Sequence, residues 1–258
     1  MPDDGLPLRN RWAVVTGSSR GIGRAIAVRM AAAGARVVLH GRDSGALSEA
    51  AAAVRAAGSE AAVVAASLDA AEGCDALLDA AVRLGALDIW VNNAGADVLT
   101  GEAAQWSFER KLAALWKVDV EATMRLSRGV GRRMQQRGGG VLLNMGWDQA
   151  ETGMEGDSGE LFAAAKGAVM AFTRSLAHSL APDVRVNCLA PGWIRTAWGA
   201  NADAGWQRRA AGESLRARWG TADDVAEAAL WLASPAADFI NGQAIRINGG
   251  FRYARPAE

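Results

Sequence analysis

The chain has 258 residues, 50% of them hydrophobic, enough to bury one sizeable core. Its 28 Lys and Arg balance 28 Asp and Glu, so no net field exists to recruit nucleic acid or an anionic membrane surface; small molecules and copies of itself are the expected partners. Cys74 and Cys188 lie far apart and outside any C-x-x-C spacing, which argues against a disulfide framework and against a metal site.

Short β-rich apolar runs alternate with alanine-rich segments of helical period. The pattern predicts strands at 12–16, 36–39, 62–65, 87–92, 141–144, 184–189 and 244–247, and helices at 21–33, 44–57, 71–84, 102–137, 160–180 and 222–233. Gly138-Gly139-Gly140 closes the longest helix, and residues 191–220 read as a loop-rich stretch. Strands that are apolar throughout and separated by helices imply right-handed crossovers and a parallel sheet covered on both faces. The expected fold is therefore α/β, a doubly wound parallel sheet of about seven strands, with an N-terminal tail at 1–9 and a single domain at 10–258. The N-terminus lacks a basic stretch followed by an apolar core, and no apolar run is long enough to cross a bilayer, so the expected location is the cytoplasm.

The first strand runs into Thr16-Gly17-Ser18-Ser19-Arg20-Gly21-Ile22-Gly23. Glycines there allow a tight turn, close approach of backbone to a pyrophosphate, and close packing of helix on strand, while the helix N-terminus attracts phosphate. This is a Rossmann-type dinucleotide site. Asn92-Asn93-Ala94-Gly95 follows the fourth strand and supports the same reading. Where the second strand ends, an acidic side chain would bind ribose hydroxyls and repel a 2′-phosphate. The chain has His40-Gly41-Arg42 instead, with Arg20 inside the turn, and two guanidinium groups favour NADP(H) over NAD(H). Asp43, close by, keeps NAD(H) open.

These segments, with Arg185-Val186-Asn187-Cys188-Leu189-Ala190-Pro191-Gly192, Thr196, and Asn241-Gly242-Gln243 leading to Asn248-Gly249-Gly250, resemble the short-chain dehydrogenase/reductase family over nearly the whole chain. The resemblance implies that Asn93 lies beside the cofactor, that Pro191, Gly192, Ile194 and Thr196 surround its nicotinamide end, and that Ser67 and Leu68 fill the place where many relatives hold the adenine with an aspartate. It also implies a tyrosine four residues before a lysine, as proton donor, with a serine to polarise the carbonyl and an asparagine to hold a water. Lys166 matches the lysine and is expected to bind the nicotinamide ribose. Phe162 stands in the tyrosine place, Trp147 in the serine place and Asp119 in the asparagine place.

Three readings follow. The chain reduces an iminium carbon, which accepts hydride without an oxygen-directed proton, with Asp148 or another carboxylate of the acidic stretch 147–160 stabilising the cation. It reduces or oxidises a carbonyl with an acid rebuilt from Asp148, Asp157 or a water on Lys166. Or it binds NADP(H) without turnover, as a sensor or structural component.

Of ten tryptophans, Trp147, Trp193, Trp198 and Trp206 fall in stretches that surround the substrate in relatives; they read either as a site for a flat apolar ligand or as packing. His178 reads as structural and His40 as packing beside the adenosine, while Arg128, Arg132, Arg133 and Arg137 form a solvated or subunit-facing side of the long helix. By resemblance the expected assembly is a homotetramer, with a dimer as runner-up.

Overall fold

The structure, a computed structural model, describes residues 5–85 and 87–252; Trp198 is described by its backbone. Of the expected tail 1–9, residues 1–4 lie outside the described residues, as does Tyr253, the sole tyrosine of the chain. Leu8 is fully buried and donates its N–H to the Ala33 carbonyl at 3.0 Å, so this part of the expected tail packs on the domain.

Seven strands form one parallel sheet: β1 Trp12–Val15, β2 Arg36–Gly41, β3 Ala61–Ala65, β4 Ile89–Asn92, β5 Gly140–Met145, β6 Val184–Pro191 and β7 Ala244–Ile247, in the order β3-β2-β1-β4-β5-β6-β7. The order reverses between β1 and β4, the crevice in which such sheets bind ligands. Alternate residues of one strand feed two cores. Ala13 and Val15 join the layer of α1 (Gly21–Ala32), α2 (Ser44–Ala56) and, through Val225, Ala229 and Leu232, the helix Ala222–Ala233. Trp12 and Val14 join the opposite layer of α3 (Ala71–Arg83) and two long helices, through Leu77, Leu126, Val130 and Leu180. Burial on both faces explains why β1 reads as apolar without alternation, each buried Val, Leu or Ile contributing about 1.5–3 kcal/mol. Among the described residues no helix is long and apolar enough to cross a membrane.

The helix expected at 102–137 is divided. Trp106 and Ser107 break it, Ser107 caps α4 (Phe108–Leu115) by accepting the Arg110 N–H at 3.3 Å, and a π-helical turn at Trp116–Glu121 precedes α5 (Ala122–Gln136). The π turn shifts the register by about one residue. Asp119 lies within it and is buried. The other long helix, α6 (Asp157–Leu180), is fixed to the sheet by buried amides and hydroxyls. Trp90 Nε1 donates to Asn92 Oδ1 at 2.8 Å, Asn92 Nδ2 to Ser127 Oγ and to Asn144 Oδ1 at 2.9 Å each, and Asn144 Nδ2 to Thr173 Oγ1 at 2.9 Å. Each partner satisfies another, so this polar ladder specifies how α6 sits without leaving a buried group unpaired. The loop-rich stretch at 191–220 contains two short helices not expected there, α7 (Ala197–Asn201) and α8 (Ala204–Glu213), and is followed by α9 (Ala222–Ala233).

Candidate active site

The glycine-rich turn is held from behind. Asn93 Nδ2 donates to the carbonyls of Thr16 and Gly17 at 3.0 and 3.1 Å, and Thr16 Oγ1 accepts the N–H groups of Asn93 and Ala94 at 2.9 Å. A Cβ on Gly23 would stand 2.3 Å from the Gly17 oxygen and 2.4 Å from Asn93 Nδ2. Gly17 has φ +63° and no room beside Ala94. Arg20 opens α1 without a side-chain cap, and no acidic residue occupies its first turn. The N–H groups there are left for an anion, and the cradle fits a pyrophosphate.

His40 joins this turn to the end of β3. Its Nε2 lies 3.1 Å from the Ala66 oxygen and its Nδ1 accepts the Gly17 N–H at 3.3 Å, which fixes the neutral tautomer protonated at Nε2. Burial lowers its pKa to about 4, against the smaller opposing effect of the Ala66 carbonyl. The ring is thus a clamp of the cofactor turn, a role beyond packing that its neighbours in sequence do not reveal.

A cavity of about 470 Å³ opens beside the turn, lined by Gly17, Ser19, Arg20, His40, Gly41, Arg42, Ser67, Leu68, Ala94 and Gly95. Arg42 is exposed at its edge, while Arg20 pairs with Asp97 at 3.5 Å. Asp43 is engaged as the cap of α2, accepting the N–H groups of Gly45 and Ala46 at 2.8 and 3.2 Å. Asp69, Trp106, Arg110 and Lys117 also line this cavity. Sequence reasoning missed them, although Asp69 follows directly on Ser67-Leu68.

A second cavity of about 290 Å³ is lined by Ile22, Trp147, Phe162, Lys166, Pro191, Gly192, Ile194 and Thr196, with Leu99, Met145, Gly146, Met154, Ser158, Trp193, Trp206 and Trp219. Lys166 Nζ lies 2.7 Å from Asp119 Oδ1, and Asp119 Oδ2 accepts the Ala96 N–H at 2.8 Å. Gly95 admits this contact, since a Cβ there would meet Asp119 Oδ1 at 2.9 Å. Phe162 and Trp147 meet edge to face, ring centroids 6.4 Å apart. Ser158, one helical turn before Phe162, is also among the residues that line this cavity. Gly146 has no room for a side chain, because Cys188 Sγ and Met170 Cγ would lie 2.7 and 2.8 Å from its Cβ. Burial pushes the Cys188 thiol up to about 12 and leaves it protonated and inert.

The acidic stretch is placed otherwise than expected, and none of its carboxylates lines the apolar cavity among the described residues. Asp148 is turned behind Gly192, 4% exposed, where Oδ2 accepts from Asn248 Nδ2 at 2.9 Å and Oδ1 has no hydrogen-bond partner. Burial raises its pKa, opposed by the Asn248 hydrogen bond. Glu151 pairs with Arg246, and Glu155 receives two hydrogen bonds from Arg209. Arg209 also reaches Glu213 at 2.7 Å and stacks over Trp206 and Trp193 at 5.1 and 6.0 Å. Trp193 Nε1 donates to Glu213 at 2.7 Å. Trp219, Arg209 and Glu213 escaped sequence reasoning because nothing local marks them as neighbours of Trp193.

A nucleotide cradle at the switch point of a parallel sheet, with a buried lysine and an apolar chamber beyond it, defines a dinucleotide-dependent oxidoreductase site. The chain belongs to the short-chain dehydrogenase/reductase family, matching over residues 17–252 the family model described as Enoyl-(Acyl carrier protein) reductase. It is 35% identical to 3beta-hydroxysteroid dehydrogenase 1 of Eggerthella lenta, over 97% of this chain and 95% of that one. It is 32% identical to the short-chain reductase protein NovJ of Streptomyces niveus, over 92% of each. A 3-oxoacyl (acyl-carrier-protein) reductase of Agrobacterium tumefaciens C58, solved with NADP bound, superposes with a TM-score of 0.86 at 31% identity, covering 97% of both chains.

Proposed function

We propose that this protein is an NADP(H)-dependent oxidoreductase that reduces a small organic substrate whose acceptor carbon is already cationic, an iminium. The observation that carries this reading is the edge-to-face pair of Trp147 and Phe162 beside Lys166. Two apolar rings stand where the resemblance places a serine and a tyrosine, and neither can give a proton to an oxyanion. When bound, NADPH supplies a hydride that becomes the new C–H bond, while the C=N π pair becomes the amine lone pair and NADP⁺ remains, a balance that needs no proton.

The residues of this chain bind and orient. Gly17 to Gly23 and the open N-terminus of α1 hold the pyrophosphate, Arg42 and Arg20 the 2′-phosphate, and Ser67, Leu68 and Asp69 border the adenine. Asp43, spent on capping, offers little competition from NAD(H). Lys166, paired with Asp119, hydrogen-bonds the nicotinamide ribose, and Pro191, Gly192, Ile194 and Thr196 border the nicotinamide. The same two rings favour one other reading, an NADP(H)-binding protein without turnover. A homotetramer, with a dimer as runner-up, is supported by Phe239, wholly exposed, and by Trp231, 42% exposed, apolar surface of the kind a subunit contact covers.

The test is NADPH oxidation with a cyclic iminium, such as an N-methyldihydroisoquinolinium, against a ketone of the same skeleton. Turnover of the iminium alone is expected; NADPH binding with turnover of neither supports the non-catalytic reading. Arg42→Ala is expected to weaken NADPH about tenfold and NADH little, since a charge-assisted hydrogen bond contributes about 1.5–3 kcal/mol. Equal losses would overturn the coenzyme preference.

A further inference from the structure

We propose that the chamber beyond Lys166 is an aromatic cage for a compact organic cation, with tryptophan faces in place of a carboxylate; this rests on the iminium reading and names how the substrate is recognised. The rings of Trp193, Trp206, Trp219, Trp147 and Phe162 line it, and its polar side chains are Ser158, Thr196 and Lys166. The ammonium of Lys166 is already neutralised by Asp119 at 2.7 Å. Among the described residues no carboxylate lines the wall, so the charge of a cation entering this space is met by π faces, of which tryptophan's is the most electron-rich.

Ring geometry separates a cage from a slot. A flat neutral ligand stacks best between parallel walls. Here Trp193 and Trp206 meet at 53° with centroids 5.4 Å apart, Trp193 and Trp219 at 65° and 6.0 Å, and Trp147 and Phe162 at 67°. Rings set at such angles offer no pair of parallel walls for a flat ligand and suit a compact centre better. The supports outside the wall hold this arrangement. Glu213 accepts the Trp193 indole N–H at 2.7 Å, which enriches that ring in electron density. Arg209, stacked on Trp193 and Trp206, is neutralised by Glu155 and Glu213 and so does not repel a cation within. The hydride acceptor and its amine product share the required chemistry, since the product amine is protonated near neutral pH.

The experiment is calorimetric titration of the NADPH-loaded protein with phenyltrimethylammonium, which cannot be reduced, and with its neutral isostere tert-butylbenzene. The cation is expected to bind at least about tenfold more tightly, a difference of about 1.4 kcal/mol, within the range of desolvated cation–π contacts. Trp206→Leu is expected to remove that preference and Trp206→Phe to keep most of it, with the melting temperature and NADPH affinity of each variant as controls on folding. Equal binding of the two probes, or binding of neither, overturns the cage in the unaltered protein, whatever the variants do. Cation binding without iminium turnover would instead overturn the proposed reaction and leave the cage standing. Iminium turnover with equal affinity for the two probes does the reverse.

Discussion

The ammonium of Lys166 and the carboxylate of Asp119 form an ion pair at 2.7 Å in which Asp119 is 2% exposed. Removing one member leaves the other charge in a poorly solvated place, which typically costs about 3–5 kcal/mol. Asp119→Leu should therefore destabilise strongly in urea unfolding, and Lys166→Met combined with Asp119→Leu should cost clearly less than the sum of the two single changes. Additive costs would show that the two charges do not act as a unit.

His40 makes stability fall in mild acid. Its folded pKa, held by burial at about 4, lies below the ordinary value near 6.5, so the unfolded chain takes up the proton first. The contribution is complete above pH ~6.5 and is lost as pH falls through about 4, in total roughly 3 kcal/mol. Protonation also converts Nδ1 from acceptor to donor, opposing the Gly17 N–H. Denaturation of the wild type and of His40→Leu between pH 7 and pH 4 should show the steeper decline in the wild type; parallel curves would contradict the clamp.

Asp148 acts with the opposite sign. Burial raises its folded pKa above the unfolded value, so the loss of stability is absent in acid and grows as pH rises through the folded value. Asp148→Asn keeps an acceptor for Asn248 and cannot ionise. Its melting temperature at neutral pH should exceed that of the wild type by a few degrees, with the gain vanishing below the ordinary aspartate range. A gain that persists unchanged in acid would point to packing instead.

Phe162→Tyr introduces a hydroxyl four residues before Lys166 but leaves Trp147 where a carbonyl would need a second donor. Ketone reduction should remain near background in the single variant and rise about 10²-fold when Trp147→Ser is added, the lower end of what a placed general acid contributes. Steady-state rates across pH would identify it, because the new activity should carry an ionisation that iminium reduction lacks. No gain in the double variant would mean that position 162 does not face the reacting atoms.

What the sequence makes legible is whatever is written locally. The strands and the glycine turn carry their own signals, apolar runs bounded by helical periods and glycines at spacings a Cβ would spoil, and the observed strands fall within about two residues of those expected. The π turn at Trp116–Glu121 leaves no mark, since a single inserted residue is too short to alter the helical period. The helix Ala204–Glu213 is hidden in a loop-rich stretch because it buries only Ala210, too little for an apolar stripe. By its position in the acidic stretch Asp148 reads as a residue facing the substrate. Asn248, a hundred positions away, claims its oxygen instead, and contacts at that separation are settled by topology.

The amide and hydroxyl ladder from Trp90 through Asn92 and Asn144 to Thr173 seats α6 on the sheet without using positions 147, 162 or 166. The contacts that seat α6 are therefore separate from the rings that wall the chamber. Exchanges of the rings at 147 and 162 are therefore expected to alter what the chamber accepts while α6 keeps its seat on the sheet.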